Sequence, residues 1–148
     1  GGGSSALGFW NEFMDYDKKR VELIGVEAKY AAPLATNAKV AILHGAAQYC
    51  LTDKDGQIAE THSISAGLDY PGSSPLHGLL KDSKRARYTY ASDKDALNAF
   101  KLVSKLENLR PSLEPAHAWW ECIKIAPKLK KSDVIVNLLA KKTILFFL

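Results

Sequence analysis

The sequence is poor in cysteine, and it has no long hydrophobic run. Its two cysteines, Cys50 and Cys122, lie far apart and outside any CxxC motif, so neither a disulfide framework nor a zinc site is indicated. The apolar residues 144–148 (ILFFL) form a stretch far shorter than the about 20 residues that cross a bilayer. The N-terminus lacks the basic segment of a secretory signal. We therefore expect a protein of a reducing compartment, the cytoplasm or a plastid, without membrane association.

The chain also lacks a strong charge of either sign. Its 20 basic and 16 acidic residues give a formal charge of +4, and its 47% hydrophobic and 24% charged residues are normal for a globular domain. One basic cluster, formed by Lys81, Lys84, Arg85 and Arg87, could contact nucleic acid. No nucleic-acid-binding motif accompanies it, so a solvated surface is the favoured interpretation.

The apolar pattern predicts strands that alternate with helices. Residues 21–26 (VELIGV), 87–90 (RYTY) and 133–138 (DVIVNL) have the composition of strands. Apolar residues recur at helical spacing directly after residue 5, and Ser92 and Ser112 are candidate N-caps of two further helices. Residues 53–56 (DKDG) predict a hairpin turn. This alternation predicts an α/β fold.

Residues 1–5 (GGGSS) directly precede the first predicted helix. Glycines followed by a helix N-terminus favour phosphate binding, because free backbone N–H groups and the positive end of the helix dipole face the anion. The alternative is a flexible linker.

Residues 61–72 (THSISAGLDYPG) are typical of a loop that contacts a ligand. They contain many small residues and a turn, and they have neither helical nor strand periodicity. Asp69 is a candidate ligand-binding residue in this loop. The alternative is a turn aspartate that bonds its own backbone.

This loop closely resembles a loop of the tryptophan synthase beta chain, an enzyme that depends on pyridoxal phosphate (PLP). Further segments resemble the same family in the same order: GGGSS at 1–5, LIGVEA at 23–28, LHG at 43–45, DGQI at 55–58, DALNAF at 95–100, PSLEPAHA at 111–118 and VNL at 136–138. The resemblance implies that residues 1–138 form an incomplete PLP-phosphate-binding domain of the fold-type II PLP enzymes, with a partial doubly wound sheet. It also implies the conversion of serine and indole to tryptophan, an alpha chain or domain as partner, and beta dimers.

The resemblance implies roles for several residues. The loop that holds the cofactor phosphate corresponds to Gly1, Gly2, Gly3, Ser4 and Ser5, with Ser5 in place of an asparagine. Glu114 corresponds to a glutamate near the cofactor ring, and Asp69 to an aspartate that meets the amino-acid substrate. The backbone carbonyls of Gly1, Tyr70 and Gly72 correspond to a monovalent-cation site. For Glu114 the alternative is a first-turn glutamate that the helix dipole favours.

Several departures from the family pattern bear on activity. No histidine of the chain is followed by lysine, whereas the family's Schiff-base lysine directly follows a histidine. Leu139 stands where the family has a serine that bonds the pyridine nitrogen, and residues 139–148 form a divergent apolar tail. A glycine-rich insert is absent between Glu27 and Ala31.

These departures predict a fragment or degenerate copy of the beta chain that is inactive alone and retains no catalytic residue. The alternative hypothesis is a non-catalytic module that binds phosphate or PLP, or that complements a separate chain carrying the missing N-terminal half.

Overall fold

The structure is a computed structural model that describes residues 2–36 and 38–139. Within these ranges the elements are α1 (Ser4–Trp10), β1 (Leu23–Ala28), β2 (Lys39–Leu43), β3 (Ala46–Cys50), α2 (Pro75–Asp82), β4 (Ala86–Ala91), α3 (Asp93–Glu107) and α4 (Leu113–Ile125), with 3-10 turns at Asn11–Phe13, Ala66–Leu68 and Ala126–Lys128. The α/β class is confirmed. Gly1 and residues 140–148, for which predictions were made above, lie outside the described residues. No helix in the described ranges is long and apolar enough to span a membrane.

A parallel pair of strands forms the centre of the fold. β1 pairs with β4 in a register that runs from Leu23 opposite Ala86 to Ala28 opposite Ala91. α4 packs on both strands, and α3 packs on α4. The described residues form two two-stranded sheets, β1–β4 and β2–β3, so the doubly wound sheet stays a prediction.

The core under α1 joins the N-terminal helix to the sheet. Trp10 at the end of α1 is buried in one cluster with Leu23 of β1, Leu80 of α2 and Ala86 of β4. Because these four residues come from four elements, this cluster fixes the start of the chain against the sheet and α2.

The main hairpin is formed at a different turn from the predicted one. β2 and β3 pair as antiparallel strands, and the turn between them is His44–Gly45, both with positive φ. The predicted turn at residues 53–56 does form, since the Asp53 N–H donates to the Gln57 carbonyl at 2.8 Å. It is flanked by a single bridge between Thr52 and Ile58 rather than by strands.

Helix α2 was not predicted, although its start carries a local signal. Ser74 is the N-cap and its hydroxyl accepts from the Leu76 N–H, while Pro75 occupies the first helical turn. A serine followed by proline is a common helix start. The signal was missed because the surrounding loop has few apolar residues.

The predicted strand at residues 133–138 was wrong. This segment is neither strand nor helix, and Val134 and Val136 are exposed. β-branched residues fit an extended backbone, but a strand also needs a neighbouring edge with which to pair. The described residues offer this segment no such pairing.

Most of the basic cluster is committed to contacts within the chain. Arg85 donates to the carbonyls of Phe13, Met14 and Val21, and so ties the end of the N-terminal segment to β4. Arg87 bonds the carboxylates of Glu22 and Glu121. A cluster with these internal partners is a poor nucleic-acid surface.

The start of α3 provides a stability prediction. The Ser92 hydroxyl accepts from the Asp95 N–H at 3.2 Å, and the Asp95 carboxylate accepts from the Ser92 N–H at 3.0 Å, which makes a capping box. Ser92→Ala should therefore lower the free energy of unfolding by about 1 kcal/mol, whereas Ser92→Thr retains the cap. Urea denaturation measures both. The control is Ser132→Ala at an exposed position, and an equal loss in that variant would contradict the capping explanation.

Candidate functional site

A cavity of about 700 Å³ lies between the N-terminal loop, β1 and the start of α4. This volume is in the range of about 300–1,000 Å³ that small-molecule sites occupy. The lining includes the described part of the glycine loop, five successive residues of β1, the 3-10 turn of the 61–72 loop, two residues at the start of α4, and the segment before the tail: residues 2–5, 24–28, 66–68, 112, 114 and 136–138. The structure thus brings Gly2, Gly3, Ser4, Ser5 and Glu114 to one cavity.

The glycine loop forms a donor-rich end of this cavity. Gly3 has a φ of 86°, and a Cβ built on it would lie 2.2 Å from Nε2 of His77. Only glycine therefore fits there without displacing the histidine. The next residues start α1, where the first backbone N–H groups have no acceptor within the helix. Together with the hydroxyls of Ser4 and Ser5, these N–H groups suit an anion.

His77 holds the glycine loop in place. Its Nε2 lies 2.9 Å from the Gly3 carbonyl, and its Nδ1 lies 2.8 Å from the Tyr88 hydroxyl. A carbonyl can only accept, so Nε2 carries the proton and Tyr88 donates to Nδ1. Burial lowers the pKa of His77 despite the bond to Gly3, which keeps the ring neutral. Sequence analysis does not predict this role, because Gly3 lies 74 residues from His77 along the chain.

Glu114 connects α4 to the 61–72 loop at the cavity wall. Its Oε1 accepts from the Gly67 N–H at 3.2 Å, and a Cβ on Gly67 would lie 2.7 Å from that oxygen. Burial opposes its ionisation, but hydrogen bonds from its own backbone N–H, from Ser112 and from Gly67 prevail and lower the pKa of Glu114. The cavity therefore carries a carboxylate at this end at neutral pH.

Glu27 is a second acidic residue of the lining, and sequence analysis gave it no role. Its carboxylate accepts hydrogen bonds from the backbone N–H groups of Leu34 and Ala35. Burial raises the pKa of Glu27 to about 7, since these bonds and Lys81 offset the loss of water only in part. A single glutamate in a strand carries no sequence signal of such a shift.

Two candidate residues of the 61–72 loop, Asp69 and Tyr70, do not line the cavity. The Asp69 carboxylate accepts from the Thr61 hydroxyl at 2.7 Å, and the Tyr70 hydroxyl lies 3.1 Å from Nδ1 of His44. Neither residue is in the lining, whereas Gly72 is. With Gly1 outside the described residues, the carbonyl site of Gly1, Tyr70 and Gly72 stays a prediction. Elsewhere in the described chain, no group of three or more His, Cys, Asp or Glu side chains could hold a metal ion.

The fold and the site together define part of an α/β domain with an anion-suited cavity. No family model matches the chain. Among 384 matching curated proteins, tryptophan synthase beta chain 1 of Chlamydia caviae is 48% identical over 147 residues, covering 93% of this chain and 35% of the relative. The chain is therefore related to the tryptophan synthase beta chain, as its motifs predicted, and spans about a third of that relative's length. Members of that family are PLP-dependent lyases of tryptophan biosynthesis.

The contact between Gly3 and His77 yields a second prediction. Gly3→Ala should destabilise the chain by about 1–3 kcal/mol, because it strains a left-handed backbone and pushes a methyl group into a buried ring. Gly8→Ala is the matched control, since nothing lies within 4 Å of a Cβ there, and alanine in a helix should be neutral or stabilising by about 0.5–1 kcal/mol. Thermal unfolding compares the two variants. Equal stabilities would show that His77 does not constrain Gly3.

Proposed function

We propose that this chain forms the phosphate-binding part of the PLP site of a tryptophan synthase beta chain, and that its residues alone do not catalyse the family reaction. The observation that carries the proposal is the cavity with the glycine loop at one end and Glu114 on its wall. The relationship to the beta chain supports PLP as the ligand. Because the chain covers 35% of that relative, activity, substrates and partners of the whole protein belong to this proposal.

The donors at the glycine end fit the phosphate of PLP. Backbone N–H groups at the start of α1 and the hydroxyls of Ser4 and Ser5 would bond its oxygens, and Gly2 and Gly3 let the backbone come close. Glu114 and Asn137 also line the cavity, and the cofactor ring would lie beside them. The bond from Gly67 would keep the Glu114 carboxylate at a fixed place beside that ring.

No described residue in the lining of the cavity supplies the lysine amine that would attach PLP covalently. PLP provides an electron sink for chemistry at amino-acid carbons, and its enzymes hold it by a lysine amine. No lysine is among the lining residues in the described part of the chain. No histidine of the sequence is directly followed by a lysine. We therefore expect non-covalent binding through the phosphate.

A half that complements a separate polypeptide is the second candidate function. Val40 and Ile42 of β2 and Leu79 of α2 are 61%, 70% and 62% exposed, and apolar side chains at this exposure favour contact with another polypeptide. Such a polypeptide could carry the lysine, as in the proposed beta chain, and the assembly would then pair with an alpha chain and form beta dimers. Asp69 and the monovalent-cation site would act in that assembly.

Phosphate titration tests whether the glycine loop binds an anion. Inorganic phosphate and PLP should each shift the backbone amide resonances of residues 3–6 in the full chain. Gly2→Asp should weaken both at least tenfold, because it places a negative charge beside the anion, and its Cβ has only an ordinary contact at 3.6 Å. Gly8→Asp is the matched control, since Gly8 does not line the cavity. Unchanged amides at millimolar phosphate would favour the linker interpretation of residues 1–5.

Reduction with borohydride tests the missing attachment. PLP added to the chain should label no single lysine stoichiometrically, because no lysine amine is positioned in the cavity. Peptide mass spectrometry after reduction measures the labelling, and low labelling spread over several surface lysines agrees with the proposal. One lysine that is labelled to completion, and that phosphate protects, would contradict it.

A further inference from the structure

The segment that follows β1 forms one wall of the cavity, and Glu27 is its anchor. We propose that Glu27 is the positioning residue of this wall: its carboxyl group holds residues 31–36 against β1 by accepting hydrogen bonds from the backbone of Leu34 and Ala35. Ala31 and Leu34 line the cavity together with Glu27. The position of this wall therefore sets the shape of the cavity.

Two backbone N–H groups of the wall donate hydrogen bonds to the Glu27 carboxyl group. Oε2 of Glu27 accepts from the Ala35 N–H at 2.7 Å and from the Leu34 N–H at 3.1 Å, and Oε1 lies 3.2 Å from the same Leu34 nitrogen. The chain turns back directly after the strand, where the Ala31 N–H donates to the Ala28 carbonyl at 2.9 Å. The turn thus starts at the end of β1, and Glu27 of the same strand bonds the residues at which the turn ends, Leu34 and Ala35.

Charged groups from three elements face or share this site. Lys81 of α2 attracts the Glu27 carboxylate, and its Nζ also reaches the Thr36 carbonyl at 3.5 Å. Tyr88 of β4 has its pKa raised by burial and further by Glu27. His77 of α2 and Glu114 of α4 line the same cavity, and burial keeps His77 neutral.

The balance of these effects decides the direction of the response. We call the wall closed when residues 31–36 are held against β1, as in the structure, and open when they have moved away. The pKa of Glu27 is about 7 in the closed wall, against 4.5 for a glutamate in water. The closed wall therefore binds the proton more tightly than an open wall that returns the carboxyl group to solvent. By linkage, opening becomes easier as the pH rises from 4.5 through 7, and the open fraction should grow about tenfold between pH 6 and pH 8.

This inference rests on the proposed function only for the identity of the ligand. If the cavity binds PLP, a looser wall should let the cofactor leave faster at pH 8 than at pH 6. The opening itself depends on the residues of the wall and requires no ligand.

NMR of the full 148-residue chain without ligand tests the inference. The Glu27 carboxyl carbon should titrate with a midpoint near pH 7. Hydrogen exchange at the Leu34 and Ala35 amides, corrected for the intrinsic effect of pH, should report an opening equilibrium that rises about tenfold from pH 6 to pH 8. Glu27→Gln should remove this dependence, because the amide carries no titrating proton. Glu60→Gln, at an exposed glutamate, should leave it unchanged.

The inference is overturned by a Glu27 carboxyl that titrates near 4.5, or by Leu34 and Ala35 amides whose corrected opening is constant with pH. If Glu27→Gln does not fold, the carboxyl titration of the native chain decides alone. A wall that responds to pH in a chain that binds no phosphate would contradict the proposed function and leave this inference standing. Phosphate binding by a chain whose wall opens equally at pH 6 and pH 8 would support the proposed function and overturn this inference.

Discussion

The site depends on the hydrogen bonds of one buried side chain, the imidazole of His77. It donates to the Gly3 carbonyl and accepts from the Tyr88 hydroxyl, so it links the N-terminal loop, α2 and β4. Trp10 packs edge-on against the same ring at 5.6 Å between centroids. A buried polar ring is tolerated because both of its nitrogens have partners. Loss of either partner would leave a ring nitrogen unpaired next to the apolar core.

Two carboxyl groups each hold a part of the cavity wall in place by the same means, as acceptors of backbone hydrogen bonds. Glu114 accepts from a loop N–H, and Glu27 accepts from two N–H groups of a turn. Their pKa values nevertheless shift in opposite directions. At Glu114 the hydrogen bonds prevail over burial, whereas at Glu27 burial prevails over the bonds. One wall is therefore held by a permanent charge, and the other by a group whose charge changes near neutral pH.

The sequence predicted those features whose cause is local. The apolar runs of β1 and β4, the cap at Ser92 and the glycine loop before α1 all depend on neighbouring residues, and the structure contains each of them. The strand at 133–138 failed because pairing needs a distant edge. The roles of His77 and Glu27 were missed since they come from burial and from contacts that residue type does not encode. The placement of Glu114 in the cavity wall was reached through family resemblance rather than through periodicity.

The bond between His77 and Gly3 spans 74 residues of sequence, and Ser74 bonds Gly2 over a similar separation. Closing so long a loop is entropically costly and slow compared with forming a helix or a hairpin. The glycine loop consequently takes its final shape only after α2 has formed and docked. The anion-suited end of the cavity is therefore completed late in folding, after the elements that carry Ser74 and His77 are in place.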